Sequence, residues 1–163
     1  MTLTIRPVRV GEAALVLGFI RELAEYEKLL QAVEADEAAI EVLLFGPAPR
    51  AFCDIAEVDG IPVGFALWFY NVSTFKGRCG LYLEDLYVRP EARGLGAGKA
   101  LLANLAKRCI DESLGRLEWA VLDWNAPSIA FYDSLGAASM NEWIIRRLSG
   151  EALETLAAAH RSA

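Results

Sequence analysis

The sequence predicts an α+β fold, one layered sheet with helices on both faces, and three observations carry that prediction. Strand-like and helix-like segments follow one another in the order β-α-α-β-β-β-α-β-α-β, with a last helix behind them. Asp59-Gly60 stands between two apolar runs, the strongest two-residue hairpin signal, and makes those runs antiparallel neighbours. The stretch "DLYVRPEARGLGAGKALL", Asp85 to Leu102, passes from an apolar strand-like run through Gly94, Gly96 and Gly98 into a helix.

Taken in order, "LTIRPV" reads as a short first strand. Gly11 to Lys28 reads as a helix that buries Val16, Phe19, Ile20 and Leu23 on one stripe. A second helix is expected from Asp36 to Phe45, stopped at Gly46-Pro47. "AFCDIAEV" and "IPVGFALWFY" form the hairpin, and "LYLEDLYV" adds a further strand before the glycine loop and a helix from about Gly96 to Ser113. "RLEWAVL" is the next strand. "NAPSIAFYDSLG" is a helix with Asn125 as its cap, Pro127 in the first turn and Gly136 past its end. "EWIIRRL" is expected to be a last strand and Glu151 to Ala159 a last helix.

Length and composition bound the function. A chain of 163 residues without a linker, repeat or low-complexity tract predicts a single domain over 1–163. The start, "MTLTIRPVRVGEAALVLGFI", has no basic region ahead of a long apolar core, and no uncharged run has membrane-span length, so the cytoplasm is the expected location and no membrane partner is expected. Cys53, Cys79 and Cys109 are odd in number and widely spaced, and His160 is the single histidine; neither a metal site nor histidine catalysis is expected. A formal net charge of −6 disfavours a nucleic-acid partner and suits cationic small molecules.

The glycine loop raises the question of a ligand. Bare amides at a helix start attract an anion, phosphate above all. A Walker-type loop fails on spacing, since Arg93 stands where its first Gly belongs and Ala100 where Ser or Thr belongs. A dinucleotide fingerprint fails at Lys99. What remains, Arg93-x-x-Gly96-x-Gly98, resembles the acyl-CoA pyrophosphate loop of the GNAT superfamily of N-acetyltransferases.

The resemblance extends along the chain through "RELAEYEK", "LYLEDLYV", "RGLGAGKALL" and "DWNAPSIAFY..LGA", and is to the spermidine/spermine (diamine) N-acetyltransferase group. It implies a GNAT fold with a mixed, mostly antiparallel sheet. It also implies acetyl-CoA as cosubstrate, a small cationic amine as acceptor, and a homodimer, for which the apolar "EWIIRRL" offers a pairing edge. Gly94, Leu95, Gly96, Ala97, Gly98 and Lys99, with Arg93, are expected to hold the pyrophosphate. Leu86, Tyr87 and Val88, on a strand that splays in this family, are expected to hold the pantetheine arm with Asn125, although capping alone would also explain Asn125.

A primary amine arrives protonated, so a base must act before attack and an acid must meet the leaving thiolate. Glu84, inside an apolar strand where burial would raise its pKa, matches the family base; Tyr132, two helical turns after Asn125, matches the family acid. Asp85 is assigned to the substrate cation, which requires a bulge, because neighbouring strand residues otherwise face opposite ways. Tyr26 and Glu27 match positions that line the amine site; a solvated acidic face of Glu22, Glu25 and Glu27 with Lys28 also accounts for those charges. The segment "NVSTFKGRCG" lacks the acidic and tryptophan residues of the spermidine enzymes and, like "AVLDWN", resembles the thialysine acetyltransferase branch. A protein-lysine or N-terminal acetyltransferase, or a non-catalytic acyl-CoA-binding module, remains the alternative.

Overall fold

The computed structural model describes residues 1–160, and the chain resolves into two compact units, Met1–Ala120 and Val121–Ala163. In the first, a five-stranded sheet runs in the order β1 (Leu3–Pro7), β2 (Phe52–Val58), β3 (Ile61–Ser73), β4 (Arg78–Val88) and β5 (Leu117–Trp119). The pairings from β1 to β4 are antiparallel, and β5 joins β4 in parallel. Asp59 and Gly60 adopt φ of 50° and 80° between β2 and β3, the left-handed pair that a type I′ hairpin demands.

Helices α1 (Ala13–Tyr26) and α2 (Glu37–Phe45) pack on one face of the sheet and α3 (Ala97–Asp111) on the other. The first layer is a dry core in which Phe19 stacks on Phe65 with ring centroids 5.5 Å apart, among Val16, Leu23, Ile40, Leu44 and Ile55. Ile20, expected in that stripe, is only half-buried. Asp36 caps α2 by accepting from the Ala39 amide at 2.8 Å, and the helix ends at Gly46-Pro47 as expected. On the opposite face Trp68 Nε1 donates to the buried Asp54 at 2.9 Å, and the Arg108 guanidinium of α3 lies 4.8 Å over the Trp68 ring. Burial pushes the Asp54 carboxyl up, against the Trp68 hydrogen bond and the Arg108 charge.

The second unit carries α4 (Ala126–Ser134) and α5 (Gly150–Ala158). Asn125 caps α4 by accepting from the Ser128 amide at 3.4 Å, and Gly136 follows the helix at φ 81°. The expected strand "EWIIRRL" is not formed: residues 143–149 have no ladder partner among the described residues, and Trp143, Ile144 and Ile145 are 70%, 80% and 72% exposed. Strand propensity is a preference for a half-buried pleated surface, and without a neighbouring strand it does not make one. "RLEWAVL" likewise keeps only Leu117–Trp119 as strand. No helix among the described residues is long and apolar enough to cross a membrane.

Candidate active site

The end of α1 sets the first wall. The Lys28 amide donates to Glu25 O at 3.0 Å and the Leu29 amide to Ala24 O at 2.7 Å, with Lys28 at φ 61°. This is a Schellman closure with lysine where glycine is usual, and it fixes Tyr26 and Glu27 at the helix terminus. Glu27 is half-buried, and burial pushes its carboxyl up.

The second wall is β4, where the register against β3 slips. Leu67 pairs with Asp85 and Trp68 with Leu83, so Glu84 is the extra residue of a bulge. The bulge expected for Glu84 and Asp85 is therefore present, but their environments differ from expectation. Glu84 is exposed, not buried, and the perturbed carboxyl is its neighbour. Asp85 is raised to about 6, first by burial, then by the charges of Glu84 and Glu27. Three carboxylates from two elements thus act on one place. Alternation alone could not have chosen between positions 84 and 85, because one extra residue reverses the faces.

The β4–β5 ladder ends at Leu83 and Trp119, while β4 continues to Val88, so from Glu84 onward the β5 side of β4 has no strand partner among the described residues. Leu86, Tyr87 and Val88 lie on that open stretch, with the Tyr87 ring turned into the α1 core, 6.4 Å from Phe19. Gly64 lies across from it on β3, where a Cβ would come within 2.5 Å of Tyr87 O.

After β4, Pro90–Ala92 makes one 3₁₀ turn and Arg93 leads into the loop. Gly94 and Gly96 adopt φ of 80° and 88° with open space around the position of a Cβ. Gly96 is the N-cap of α3 and supplies no capping side chain, which leaves the first helical amides, from Ala97 to Lys99, for an anion. The loop therefore fits a pyrophosphate. Leu95 and Lys99 are exposed, whereas Ala97 is buried beneath the helix start. The Arg93 guanidinium lies 4.9 Å from the centre of the Tyr26 ring and 5.9 Å from that of Tyr87. A contact between residues so far apart in sequence leaves no trace in local pattern.

In the second unit, Asn125 is buried at the start of α4 and Tyr132 is half-buried two turns on, its ring 5.4 Å from that of Phe131. Phe131 is half-buried too.

Comparison with known proteins agrees with this geometry. The chain is 40% identical to a thialysine N-epsilon-acetyltransferase of Bos taurus, over 94% of this chain and 96% of that protein. It is 41% identical to an L-ornithine N5-acetyltransferase of Arabidopsis thaliana, over 60% of this chain and 43% of that protein. Among solved structures, an integron cassette protein from the mobile metagenome of V. cholerae superposes with a TM-score of 0.80 at 27% identity, covering 96% of this chain and 98% of the other. The model of the acetyltransferase (GNAT) family matches residues 17–137, from α1 through the bulge and the glycine loop to the end of α4, and the chain belongs to that family of N-acetyltransferases.

Proposed function

We propose that this enzyme transfers acetyl from acetyl-CoA directly to the primary amine of a small cationic substrate, a diamine or a thialysine-like amino acid. The observation that carries the reading is the gathering of Glu27, Glu84 and Asp85 at the end of α1 and the bulge of β4, the strand that leads into an uncapped helix start suited to phosphate. The names of the relatives, which act on thialysine and ornithine, support a short amine. Acetyl-CoA supplies the activated thioester. Arg93 and the amides of Gly94 to Lys99 hold its pyrophosphate, and the open side of β4 at Leu86 to Val88, with Asn125, holds its pantetheine arm.

Glu27 and Asp85 hold the substrate cation, with Tyr26 as the wall beside it. Glu84, exposed at the bulge, takes a proton from the arriving ammonium through water; Tyr132 gives one to the leaving thiolate. Because the family match runs through both compact units, residues 1–163 are read as one acetyltransferase domain. The enzyme is proposed to be cytoplasmic and to take no metal, membrane or nucleic acid as partner. It is proposed to be a homodimer. The exposed run Trp143 to Leu148 gives a second copy apolar surface to cover, though not the strand edge that its sequence suggests, and sedimentation at micromolar concentration distinguishes dimer from monomer.

An amine panel assayed for CoA-thiol release tests the function. Diamines, ornithine and thialysine are expected to be acetylated, and release only with peptide substrates would overturn the reading. Gly96→Val tests the loop, since a β-branched residue does not accept φ 88° and its side chain stands where phosphate approaches. Losing even one charge-assisted amide contact, about 1.5–3 kcal/mol, weakens CoA binding by roughly tenfold or more, while the exposed site leaves the fold intact. Unchanged affinity in titration calorimetry would refute the assignment.

A further inference from the structure

We propose that Arg93, besides its place in the phosphate loop, positions the amine site by bracing the ring of Tyr26, so that the loop and the end of α1 behave as one piece. The inference rests on the reading of Tyr26 and Glu27 as walls of that site. Arg93 Nε donates to Val88 O at 3.1 Å, which anchors the guanidinium to the end of β4. With its edge so held, the guanidinium carbon lies over the Tyr26 ring, 4.9 Å from its centre, and over that of Tyr87 at 5.9 Å. Tyr87 is in turn buried against Phe19 of α1. A planar cation can donate in its plane and stack out of it at the same time; a lysine ammonium cannot do both.

Two consequences follow for a cationic substrate. The Schellman closure fixes the backbone of Tyr26, the core packs against its side chain, and Arg93 adds a restraint over the ring face. A cation already at one face of Tyr26 also repels an ammonium from that face and directs it toward Glu27, Asp85 and Glu84. Arg93 thus acts on the amine through Tyr26 and through charge.

The test is steady-state kinetics at saturating acetyl-CoA with the best amine of the panel. Arg93→Met is expected to raise the amine KM about three- to fivefold with kcat within about twofold, the size of an exposed cation–π contact. Arg93→Lys should recover the charge without the stacked plane and fall between Met and wild type. Tyr26→Leu should produce a similar rise, and combining Arg93→Met with Tyr26→Leu should add little, as for two parts of one contact. An amine KM unmoved by Arg93→Met once acetyl-CoA is saturating, or fully additive effects in the pair, would overturn the proposal and leave Arg93 to the phosphates alone. Turnover of the wild-type enzyme on the panel separates the two readings: if it acetylates no small amine, the functional reading fails; if it does and Arg93→Met behaves as wild type, only the bracing role fails. Thermal melting of each variant separates lost positioning from lost folding.

Discussion

Tyr132→Phe is expected to lower turnover by about tenfold to a thousandfold while leaving acetyl-CoA affinity within about twofold, the range of general-acid contributions. The substitution removes one hydroxyl and keeps the ring and the backbone. The Tyr132 carbonyl accepts from the Leu135 and Ala137 amides at 3.0 and 3.2 Å and so closes the helix, a backbone role that phenylalanine keeps. The ring contact with Phe131 is kept as well. A loss of rate with an unchanged melting temperature therefore reports on the proton. A thiolate leaving group has a pKa near that of an ordinary thiol, about 8.5, so near neutral pH it benefits from a donor but does not strictly need one. The residual rate of the phenylalanine variant should accordingly be largest with the most basic amines, which expel the thiolate most readily. Full activity on every amine would reduce Tyr132 to a packing residue.

The parts of the fold legible in the sequence are those with local chemistry. Asp59-Gly60 between strands, Asn125 with Pro127, and Gly136 past a helix each satisfy a backbone need within a few residues, and each sits where it was expected. The bulge at Glu84 was legible only as a condition that two neighbouring carboxylates impose. Which carboxylate is shielded depends on α1 packing over the far side of Leu67 and Asp85, which no pattern within β4 records. The ion pair of Arg89 with Glu22 at 2.8 Å, tying the end of β4 to α1, and the Arg93 stack on Tyr26 are of the same long-range kind. "EWIIRRL" failed for the complementary reason, since its pattern describes a strand that still needs a neighbour.

Glu84→Gln is expected to change the shape of the pH profile, not only its height. With the base removed, only amine already deprotonated in solution reacts, so kcat/KM should climb about tenfold per pH unit until it nears the amine pKa of about 10, where the deficit against wild type closes. Asp85 predicts a separate feature. Its carboxyl ionises at about 6, so below that pH the enzyme loses a charge that holds the cation, and an acid limb near 6 should appear in kcat/KM. That limb should survive in Glu84→Gln, moved to lower pH by the loss of the Glu84 charge, and vanish in Asp85→Asn, whose amine KM is high at every pH. Stability supplies an independent check of sign. The folded-state pKa of Asp85 lies above the unfolded value of about 3.9, so its contribution to stability is present below about pH 4 and is lost as pH rises toward 6. Asp85→Asn should therefore melt at a higher temperature than wild type at pH 7 while binding amine worse. If Glu84→Gln keeps the wild-type profile at a uniformly reduced rate and Asp85→Asn instead acquires the climbing one, the base is Asp85. Its shielded carboxyl would then be poised near neutrality by the very charges of Glu84 and Glu27 that gather the substrate.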